Sequence, residues 1–286
     1  MSTDRTTLVE PSELAALTAD PDVAIIDCRH DLTRSEWGSQ AYAEGHIPGA
    51  QFAHLDCDLS GPVTAHSGRH PLPPVAALVA TLSRFGVDDR VHVVAYDQHN
   101  GAIAARLWWL LRFMGHRAVA VLNGGLAAWS AAGLPLECTA VARAPRPFRP
   151  RLDPAATLST DEVERALARG EILLVDARAA DRFAGRNETL DPVAGHVPGA
   201  INHPFASNLD THGRLLAPHE LRARWRTTLG GRSSAEAVAM CGSGVTACHD
   251  LLALEIAGLP GARLYAGSWS EWIRDPARAV AKDSSG

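Results

Sequence analysis

Three kinds of segment are absent from this 286-residue chain, and each absence excludes a class of protein. No run rich in Lys and Arg stands out, so nucleic acid is a poor candidate partner. The apolar stretches are interrupted by Arg, Asp or Gly and stay well short of the ~20 residues that a membrane-spanning helix needs. The opening segment MSTDRTTLVEPSEL has no apolar core of a secretory signal. We therefore expect a cytoplasmic protein that binds neither nucleic acid nor membrane.

The chain has few cysteines, and they are widely spaced in the sequence. The chain has five cysteines and no C-x-x-C pair, which disfavours a disulfide framework and a zinc ribbon. His46, His54 and Cys57 lie near one another in sequence, but without the ligand spacing of a known metal site. We expect no metal and no cofactor, and at least one free thiol.

What the chain does contain is enough apolar sequence for two ordinary domains. Hydrophobic residues make up 46% and charged residues 21% of a 30.4 kDa chain, values typical of globular proteins. The net charge of −5 comes from interspersed charges of both signs. Two hydrophobic cores are therefore expected.

The same pattern occurs twice. In each copy a short apolar run ends in Asp-x-Arg, and a Gly-His-Ile/Val-Pro-Gly-Ala segment places its histidine 19 or 20 residues after that Asp. These residues are Asp27, Arg29 and His46 in the first copy and Asp176, Arg178 and His196 in the second. We interpret the Asp-x-Arg pairs as structural ion pairs at strand ends and the histidines as turn residues bonded to backbone.

Two further matches follow in the same order. VHVVAYD ends at Asp97 and corresponds to AVAMC, which ends at Cys241. The next tryptophan-containing segments end at Trp129 and Trp272, which lie 32 and 31 residues after Asp97 and Cys241. Ordered matches at preserved spacing indicate an internal duplication.

The copies are separated by a segment unsuited to regular structure. Residues 141–157 contain four prolines and four arginines, and proline at that density opposes helix interiors and central strands. We predict an N-terminal domain at 1–140, a linker at 141–157 and a C-terminal domain at 158–286.

Each copy alternates short apolar runs with helical segments such as DEVERALAR. Apolar runs with little polar alternation suit a parallel sheet buried on both faces, and the alternation with helices predicts βαβ crossovers. The fold class is therefore α/β, with a mainly parallel sheet flanked by helices in each copy. Ligands of such sheets bind beyond the carboxyl ends of the strands, where Asp97 and Cys241 both lie.

The stretch AVAMCGSGVTACHDLL carries the most chemical information. A buried strand leads to Cys241, followed by the loop Gly242-Ser243-Gly244-Val245-Thr246 and a helix that begins at about Thr246 or Ala247. Glycines let consecutive backbone N–H groups turn inward, and the helix N-terminus adds positive potential. Such a loop favours a reactive thiolate.

Two other interpretations of Cys241 are weaker. A core cysteine would pack as a small hydrophobe, but it would need no glycine loop. A phosphatase loop of the tyrosine or dual-specificity type also holds a thiolate, but it needs an Arg six residues after the Cys to bind phosphate, and that position is Ala247. Cys248, about two helical turns beyond Cys241, is expected to pack in the core.

Taken together, Cys-Gly-Ser-Gly-Val-Thr at 241–246, the paired Gly-His-x-Pro-Gly-Ala segments and the GSWSEW segment resemble the tandem-domain rhodanese family. The resemblance extends from about residue 8 to residue 280. It implies two rhodanese-like domains, a catalytic Cys241 in the second copy and an inactive first copy with Asp97 in its place.

Within that family the loop is similar to the loop of 3-mercaptopyruvate sulfurtransferases. Thiosulfate enzymes typically have Arg and Lys after the Cys, where this chain has Gly242 and Ser243. Arg182 stands at the position of an Arg that the resemblance implies for the donor's carboxylate. Asp191 stands where the family has a second such Arg, and Arg186 is a candidate to bind the same carboxylate.

The resemblance also implies a Ser–His–Asp relay formed by Ser243, His70 and Asp56. Cys241 would take sulfur from the donor as a persulfide, held by the amides of Gly242, Gly244, Val245 and Thr246, and pass it to a small thiol, cyanide or a thioredoxin-like acceptor. Two alternatives stay open, a thiosulfate:cyanide sulfurtransferase and a non-catalytic persulfide carrier. We expect a monomer.

Overall fold

The computed structural model describes residues 6–283 and divides them into two compact units. The first unit comprises the described residues through Gly61, Leu72–Asp153 and Thr211–Leu215. The second comprises Pro62–Pro71, Pro154–Asp210 and the described residues from Leu216 onward. Segment 62–71 precedes the predicted linker, yet it belongs to the second unit by its contacts. The predicted domain boundaries themselves stay a prediction.

The first unit contains a five-stranded parallel sheet in the order β1-β5-β4-β2-β3. Its strands are β1 Leu8–Val9, β2 Val23–Asp27, β3 Ala50–Phe52, β4 His92–Tyr96 and β5 Val119–Leu122. Its helices are α1 Pro11–Ala15, α2 Trp37–Glu44, α3 Leu55–Asp58, α4 Val75–Arg84, α5 Ala104–Phe113 and α6 Gly125–Ala131. All residues of β2, β4 and β5 are buried, as expected for strands covered on both faces.

The second unit contains a four-stranded parallel sheet in the order β7-β6-β8-β9. Its strands are β6 Leu173–Asp176, β7 Ile201–Asn202, β8 Ala237–Met240 and β9 Arg263–Leu264. Its helices are α7 Thr160–Ala168, α8 Ala180–Phe183, α9 Pro218–Leu229, α10 Ala247–Ile256 and α11 Ser268–Trp272, with single 3₁₀ turns at Pro154–Ala156, Phe205–Asn208 and Ser234–Glu236. The order repeats that of β3-β2-β4-β5, so the predicted duplication and the predicted α/β fold class are confirmed.

Local sequence explains where the elements begin and end. Helix α7 starts with a capping box in which Ser159 and Glu162 satisfy each other's backbone N–H groups, and its apolar side chains face the core through Val163. Helix α9 ends at Gly230, whose φ of 58° is left-handed and therefore favours glycine. Each unit has its own hydrophobic core, and the largest side chains in these cores include Trp129 and Trp269.

The repeated Asp-x-Arg and histidine residues have the structural roles that we predicted. Arg29 binds the Asp27 carboxylate at 2.7 Å, and Arg178 binds the Asp176 carboxylate at 2.6 Å. Each guanidinium also donates to the carbonyl of the glycine before the repeated histidine. The ring nitrogen Nδ1 of each histidine lies 2.8 Å from a backbone carbonyl oxygen, that of Tyr42 or of Phe183. These side chains fix the same turn in both copies.

The segment predicted as a linker has no helix or strand until the 3₁₀ turn at Pro154–Ala156. Within the first unit, Arg143 donates to the backbone carbonyl of Val23 at 2.6 Å, and Arg146 pairs with the carboxylate of Asp22 at 3.1 Å. Thr157, at its far end, pairs with Leu264 of β9. Over residues 6–283, no helix combines the length and apolar character needed to cross a membrane.

Candidate active site

Strand β8 delivers Cys241 to the carboxyl end of the second sheet. The loop 241–246 follows, and helix α10 begins at Ala247, as predicted. The Cys241 N–H donates to the Ser268 hydroxyl at 3.1 Å, and the Cys241 carbonyl accepts the Trp269 N–H at 3.0 Å. These bonds fix the Cys241 backbone, and the residue is only 2% exposed.

The sulfur of Cys241 lies inside the loop. The Gly244 N–H donates to the Cys241 Sγ at 3.1 Å. Gly244 has a φ of 76°, and a Cβ at this position would lie 2.3 Å from the Ala266 carbonyl oxygen. Only glycine therefore fits, and it is this glycine that points an amide at the sulfur.

The remaining loop residues hold the turn. Val245 is buried, and its carbonyl accepts the Cys248 N–H at 3.0 Å, which starts α10. Thr246 is the N-cap residue and is half-buried. Cys248 is fully buried, with its Sγ 3.4 Å from the Gly244 carbonyl oxygen, so its predicted place in the core is confirmed.

The structure brings two members of the predicted relay together. Nδ1 of His70 lies 2.7 Å from Oγ of Ser243, and both residues are more than nine-tenths buried. His70 lies in segment 62–71, which belongs to the second unit, and not with the sequence around it in the first unit. The next residue back, Arg69, donates its N–H to the Ser270 hydroxyl at 3.0 Å, which fixes the segment beside α11.

Asp56, the third residue of the predicted relay, and Arg186, a predicted ligand of the donor's carboxylate, lie elsewhere. Asp56 lies in α3 of the first unit, where its N–H donates to Nδ1 of His54 at 3.1 Å. Its part in the relay stays a prediction. The Arg186 side chain is exposed, and the backbone N–H of this residue donates to the Asp181 carbonyl at 2.9 Å. A role of Arg186 toward the donor also stays a prediction.

Arg182 is held by two carboxylates. Its guanidinium lies 2.8 Å from Glu188 and 3.3 Å from Asp191. The Arg69 guanidinium binds the other oxygen of Asp191. Arg69 and Glu188 were not predicted from the sequence, although Arg69 directly precedes His70, which was.

Arg69 and Arg182 lie beside the loop 241–246. A Cβ added to Gly242 would lie 2.9 Å from Nη2 of Arg69 and 3.6 Å from Nη2 of Arg182. The cations that the loop sequence lacks are therefore supplied from two other segments of the same unit. A small anion next to Cys241 would find guanidinium donors within reach.

Burial and ion pairing act oppositely on the two acids. Burial raises the pKa of Asp191, and Arg69 only partly opposes this, while the nearby charge of Glu188 adds to it. For Glu188, burial is outweighed by hydrogen bonds from Arg182 and from the Leu190 N–H, which lower its pKa. Glu188 is therefore the firmly ionised partner of Arg182.

A buried acid lies in the helix that follows the loop. Asp250 of α10 accepts a hydrogen bond from the Asn208 amide at 2.7 Å, and its other oxygen, Oδ2, has no hydrogen-bond partner. Burial raises the Asp250 pKa well above its usual value, and the charge of Cys241 adds to this. Asn208 also accepts from the indole of Trp225 at 3.0 Å. The sequence contained no signal for this network.

The first unit has an equivalent loop that is already filled. Asp97 follows β4 as Cys241 follows β8, and its carboxylate accepts four backbone N–H groups at 2.9 to 3.2 Å. The donors are His99, Gly101, Ile103 and Ala104. The loop of this fold is therefore an anion-binding nest of amides. In the described part of the chain, no group of three or more His, Cys, Asp or Glu side chains could hold a metal ion.

Comparisons with known proteins agree with this geometry. The family described as Rhodanese-like domain matches residues 10–132 and 159–275. A Pseudomonas aeruginosa protein named probable 3-mercaptopyruvate sulfurtransferase is 48% identical over 96% of this chain and 97% of its own length. A Mycobacterium tuberculosis protein named putative thiosulfate sulfurtransferase SseB is 40% identical over 97% of this chain and 98% of its own length.

A solved structure shows the same architecture. The crystal structure of SseA from Escherichia coli, titled as a study of the rhodanese fold and catalytic mechanism of 3-mercaptopyruvate sulfotransferases, superposes with a TM-score of 0.80 at 35% identity. The match covers 93% of this chain and 100% of the other. Two family matches, full-length relatives and a shared fold show that this chain belongs to the rhodanese-like domain family, with two copies of the domain.

Proposed function

We propose that this protein is a sulfurtransferase that moves sulfur from 3-mercaptopyruvate to a thiol or cyanide through a persulfide on Cys241. The observation that carries the proposal is the hydrogen bond from the Gly244 N–H to the buried Cys241 sulfur, beside the Ser243–His70 pair. A nucleophilic sulfur, a proton relay and nearby cations are the three parts that this reaction needs.

In the first half-reaction the Cys241 thiolate attacks the thiol sulfur of the donor. The new S–S bond forms as the donor's C–S bond breaks, and the electron pair of that bond goes to carbon, giving the pyruvate enolate. The Ser243–His70 pair takes the donor's thiol proton and returns it to the enolate carbon, which yields pyruvate. Asp56 would orient His70 in this relay.

The second half-reaction transfers the persulfide sulfur from Cys241 to the acceptor. Cyanide or an acceptor thiolate attacks the outer sulfur of the persulfide, the S–S bond breaks, and Cys241 leaves as a thiolate. Amides of Gly242, Gly244, Val245 and Thr246 would stabilise the negative charge in both states. The Asp97 carboxylate in the equivalent loop supports this assignment, because it shows what charge such a loop accommodates.

The donor's carboxylate would bind to Arg182 and Arg69. Both guanidiniums lie near Gly242, whereas the residues directly after Cys241 carry no charge. The carboxylate of 3-mercaptopyruvate, whose carbon is three bonds away from the reacting sulfur, therefore has a partner. This favours 3-mercaptopyruvate over a donor that needs cations at the sulfur itself.

Thiosulfate is the second candidate donor. Arg69 adds a cation that the loop sequence does not show, and a 40% identical relative is named as a thiosulfate sulfurtransferase. Sulfite would then leave in place of pyruvate. The Cys241 persulfide and the second half-reaction would be unchanged.

Initial sulfur-transfer rates with 3-mercaptopyruvate and with thiosulfate, measured in parallel, test the proposal. We expect the larger kcat/KM with 3-mercaptopyruvate and a loss of at least about a thousand-fold in Cys241→Ser. Cys248→Ser, a buried cysteine seven residues later, is the matched control and should keep the activity. Activity that survives in Cys241→Ser would contradict the mechanism.

Mass spectrometry separates the enzyme from a passive carrier. After incubation with 3-mercaptopyruvate alone, intact protein should gain the mass of one sulfur atom, located on Cys241. If neither 3-mercaptopyruvate nor thiosulfate adds sulfur while a protein persulfide does, the chain is a carrier module and the small-donor proposal is wrong.

The setting that we propose is the reducing cytoplasm. All five cysteines are free in the structure, and a persulfide cycle needs its thiol unoxidised. A small thiol, cyanide or a thioredoxin-like protein is the proposed acceptor. We propose a monomer as the working form.

A further inference from the structure

The Asp191 carboxylate bridges the two arginines beside the catalytic loop. One oxygen binds Arg69, and the other lies 3.3 Å from Nη2 of Arg182. The Asp191 side chain is 2% exposed, whereas the side chains of Arg69 and Arg182 are 29% and 19% exposed. The carboxylate that forms the bridge is therefore buried, and the two arginines that it joins are partly exposed.

Asp191 and the arginines border the same residue of the loop. A Cβ at Gly242 would lie within 4 Å of Arg69, Arg182 and the Asp191 carboxylate. Gly242 directly follows Cys241. A carboxylate that is part of the protein therefore occupies a position within reach of any substrate that reacts at Cys241.

Glu188 does not have this position. It binds Arg182 through both oxygens at 2.8 to 3.2 Å, accepts the N–H groups of Leu190 and Asp191, and lies 3.4 Å from Arg178. Among the described residues, the ion pairs of Glu188 are with Arg182 and Arg178, and the carboxylate nearest to a Cβ at Gly242 is that of Asp191. Glu188 therefore fixes Arg182 in place, and Asp191 is the carboxylate that joins the two cations.

The charges of this group cancel. Arg69 and Arg182 contribute two positive charges, and Glu188 and Asp191 contribute two negative ones, while Arg178 is neutralised by Asp176. An anionic donor consequently meets no net positive charge as long as Asp191 keeps its contacts. Binding requires that the donor's carboxylate take over guanidinium N–H groups that Asp191 uses.

Resting on the proposed function, we propose that Asp191 is a specificity-determining residue that occupies the donor carboxylate's place between Arg69 and Arg182. A 2-oxo carboxylate donor binds by displacing this internal carboxylate from one or both guanidiniums. The competition weakens every carboxylate ligand of the site and leaves the sulfur chemistry at Cys241 untouched.

The variant Asp191→Asn tests this directly, because it keeps the size of the side chain and removes its charge. We expect the KM for 3-mercaptopyruvate and the Kd for pyruvate, measured by calorimetry, each to fall about ten-fold, with kcat within two-fold of wild type. Glu171→Gln makes the same change of charge at an exposed carboxylate that pairs with the exposed Arg169, and should leave both constants within about two-fold.

Two results would overturn the proposal. Constants that rise in Asp191→Asn would mean that Asp191 aligns the arginines for the donor, and constants that stay unchanged would mean that it does not meet the donor. Pyruvate has no transferable sulfur, so its binding reports on Asp191 even if the sulfurtransferase proposal fails. Persulfide formation in the wild type tests that other proposal separately.

A measurement that needs no change at Asp191 covers the case in which the variant does not fold. Burial raises the pKa of Asp191, so as the pH falls this group takes up its proton in a range above that of an ordinary aspartate, whereas for Glu188 hydrogen bonds outweigh burial and lower the pKa. Pyruvate affinity should therefore increase over that range. The titration is made in a His70→Asn background, which removes the imidazole next to Arg69, and a flat profile would overturn the proposal.

Discussion

The pKa of the buried acid Asp250 is determined by the surroundings of its side chain. Asp250 lies fully inside the second unit, with one oxygen on the Asn208 amide and the other without a hydrogen-bond partner. Its raised pKa follows from burial, because a charge there would lose its hydration and face the charge of Cys241. A neutral, protonated Asp250 places no negative charge near Cys241.

Asp250→Asn should stabilise the protein, and increasingly so as the pH rises. A folded-state pKa above the unfolded value stabilises fully below about pH 4, and this contribution is lost as the pH rises through the folded value. The amide never ionises, so at pH 8 we expect the variant to gain about 1–2 kcal/mol of unfolding free energy over wild type, with little gain near pH 4.

Urea unfolding at both pH values measures the effect. Glu171→Gln is the control, since it removes an acid at an exposed position that pairs with the exposed Arg169. A gain in Asp250→Asn that is the same at both pH values would show that Asp250 does not titrate in this range.

Among single residues, the sequence predicted those that belong to a short, recognisable motif. Cys241 and Ser243 lie in one short motif, and the structure places Ser243 on His70 as predicted. Arg69 and Asp191 were out of reach because their meeting depends on segments more than a hundred residues apart, with no periodic signal in either. An arginine and an aspartate, both common on protein surfaces, form part of a site here only because the fold brings them together.

The element that carries the site is the β8–loop–α10 unit. Its geometry depends on Gly244, whose left-handed φ and contact with the Ala266 carbonyl exclude any side chain. Gly199 has a φ of 83° but no atom within 4 Å of a Cβ at that position. A side chain at Gly199 would meet only backbone strain, whereas a side chain at Gly244 would meet backbone strain and a steric clash. Substitutions at the two positions therefore distinguish the two effects.

Gly244→Ala should cost about 2–4 kcal/mol of stability and abolish sulfur transfer, because the loop must shift and its amide leaves the Cys241 sulfur. Gly199→Ala should cost only about 1 kcal/mol and leave the transfer rate unchanged. Thermal unfolding and initial rates of both variants provide the comparison. Equal losses in the two variants would mean that φ alone, and not the Ala266 contact, decides.

Elements differed in how well their sequence predicted them. The strands β2, β4, β6 and β8 were predicted, because apolar runs without alternation, buried along all or most of their length, are distinctive in a parallel sheet. The short strands β1, β3 and β7 were not predicted. They have two or three residues each and exist through pairing with a neighbour, and so carry little pattern of their own.

On the scale of the whole molecule, the duplication gives two versions of one ion pair for comparison. Arg178 has Asp176 at 2.6 Å and also Glu188 at 3.4 Å. Arg29 has Asp27 at 2.7 Å, and no second carboxylate contacts it among residues 6–283. The first unit therefore depends on a single acid where the second has two.

Asp27→Ala should consequently destabilise its unit by about 3–5 kcal/mol, since it leaves Arg29 buried without a counter-ion. Asp176→Ala should destabilise the other unit by less, because Glu188 remains beside Arg178. Hydrogen exchange read by mass spectrometry in increasing urea resolves the two units. The opposite order of the two losses would show that Glu188 contributes nothing to the Arg178 ion pair.

The carboxylate of Asp97, bound by four amides, has a consequence for the protein's capacity. Because it is attached to the chain, its effective concentration at those amides is fixed whatever the solution contains, and no sulfite, sulfide or phosphate can compete with it by mass action. The first loop is permanently saturated by its own ligand. On the proposed mechanism, only the loop at Cys241 can be emptied and refilled, and the load per chain is one sulfur atom.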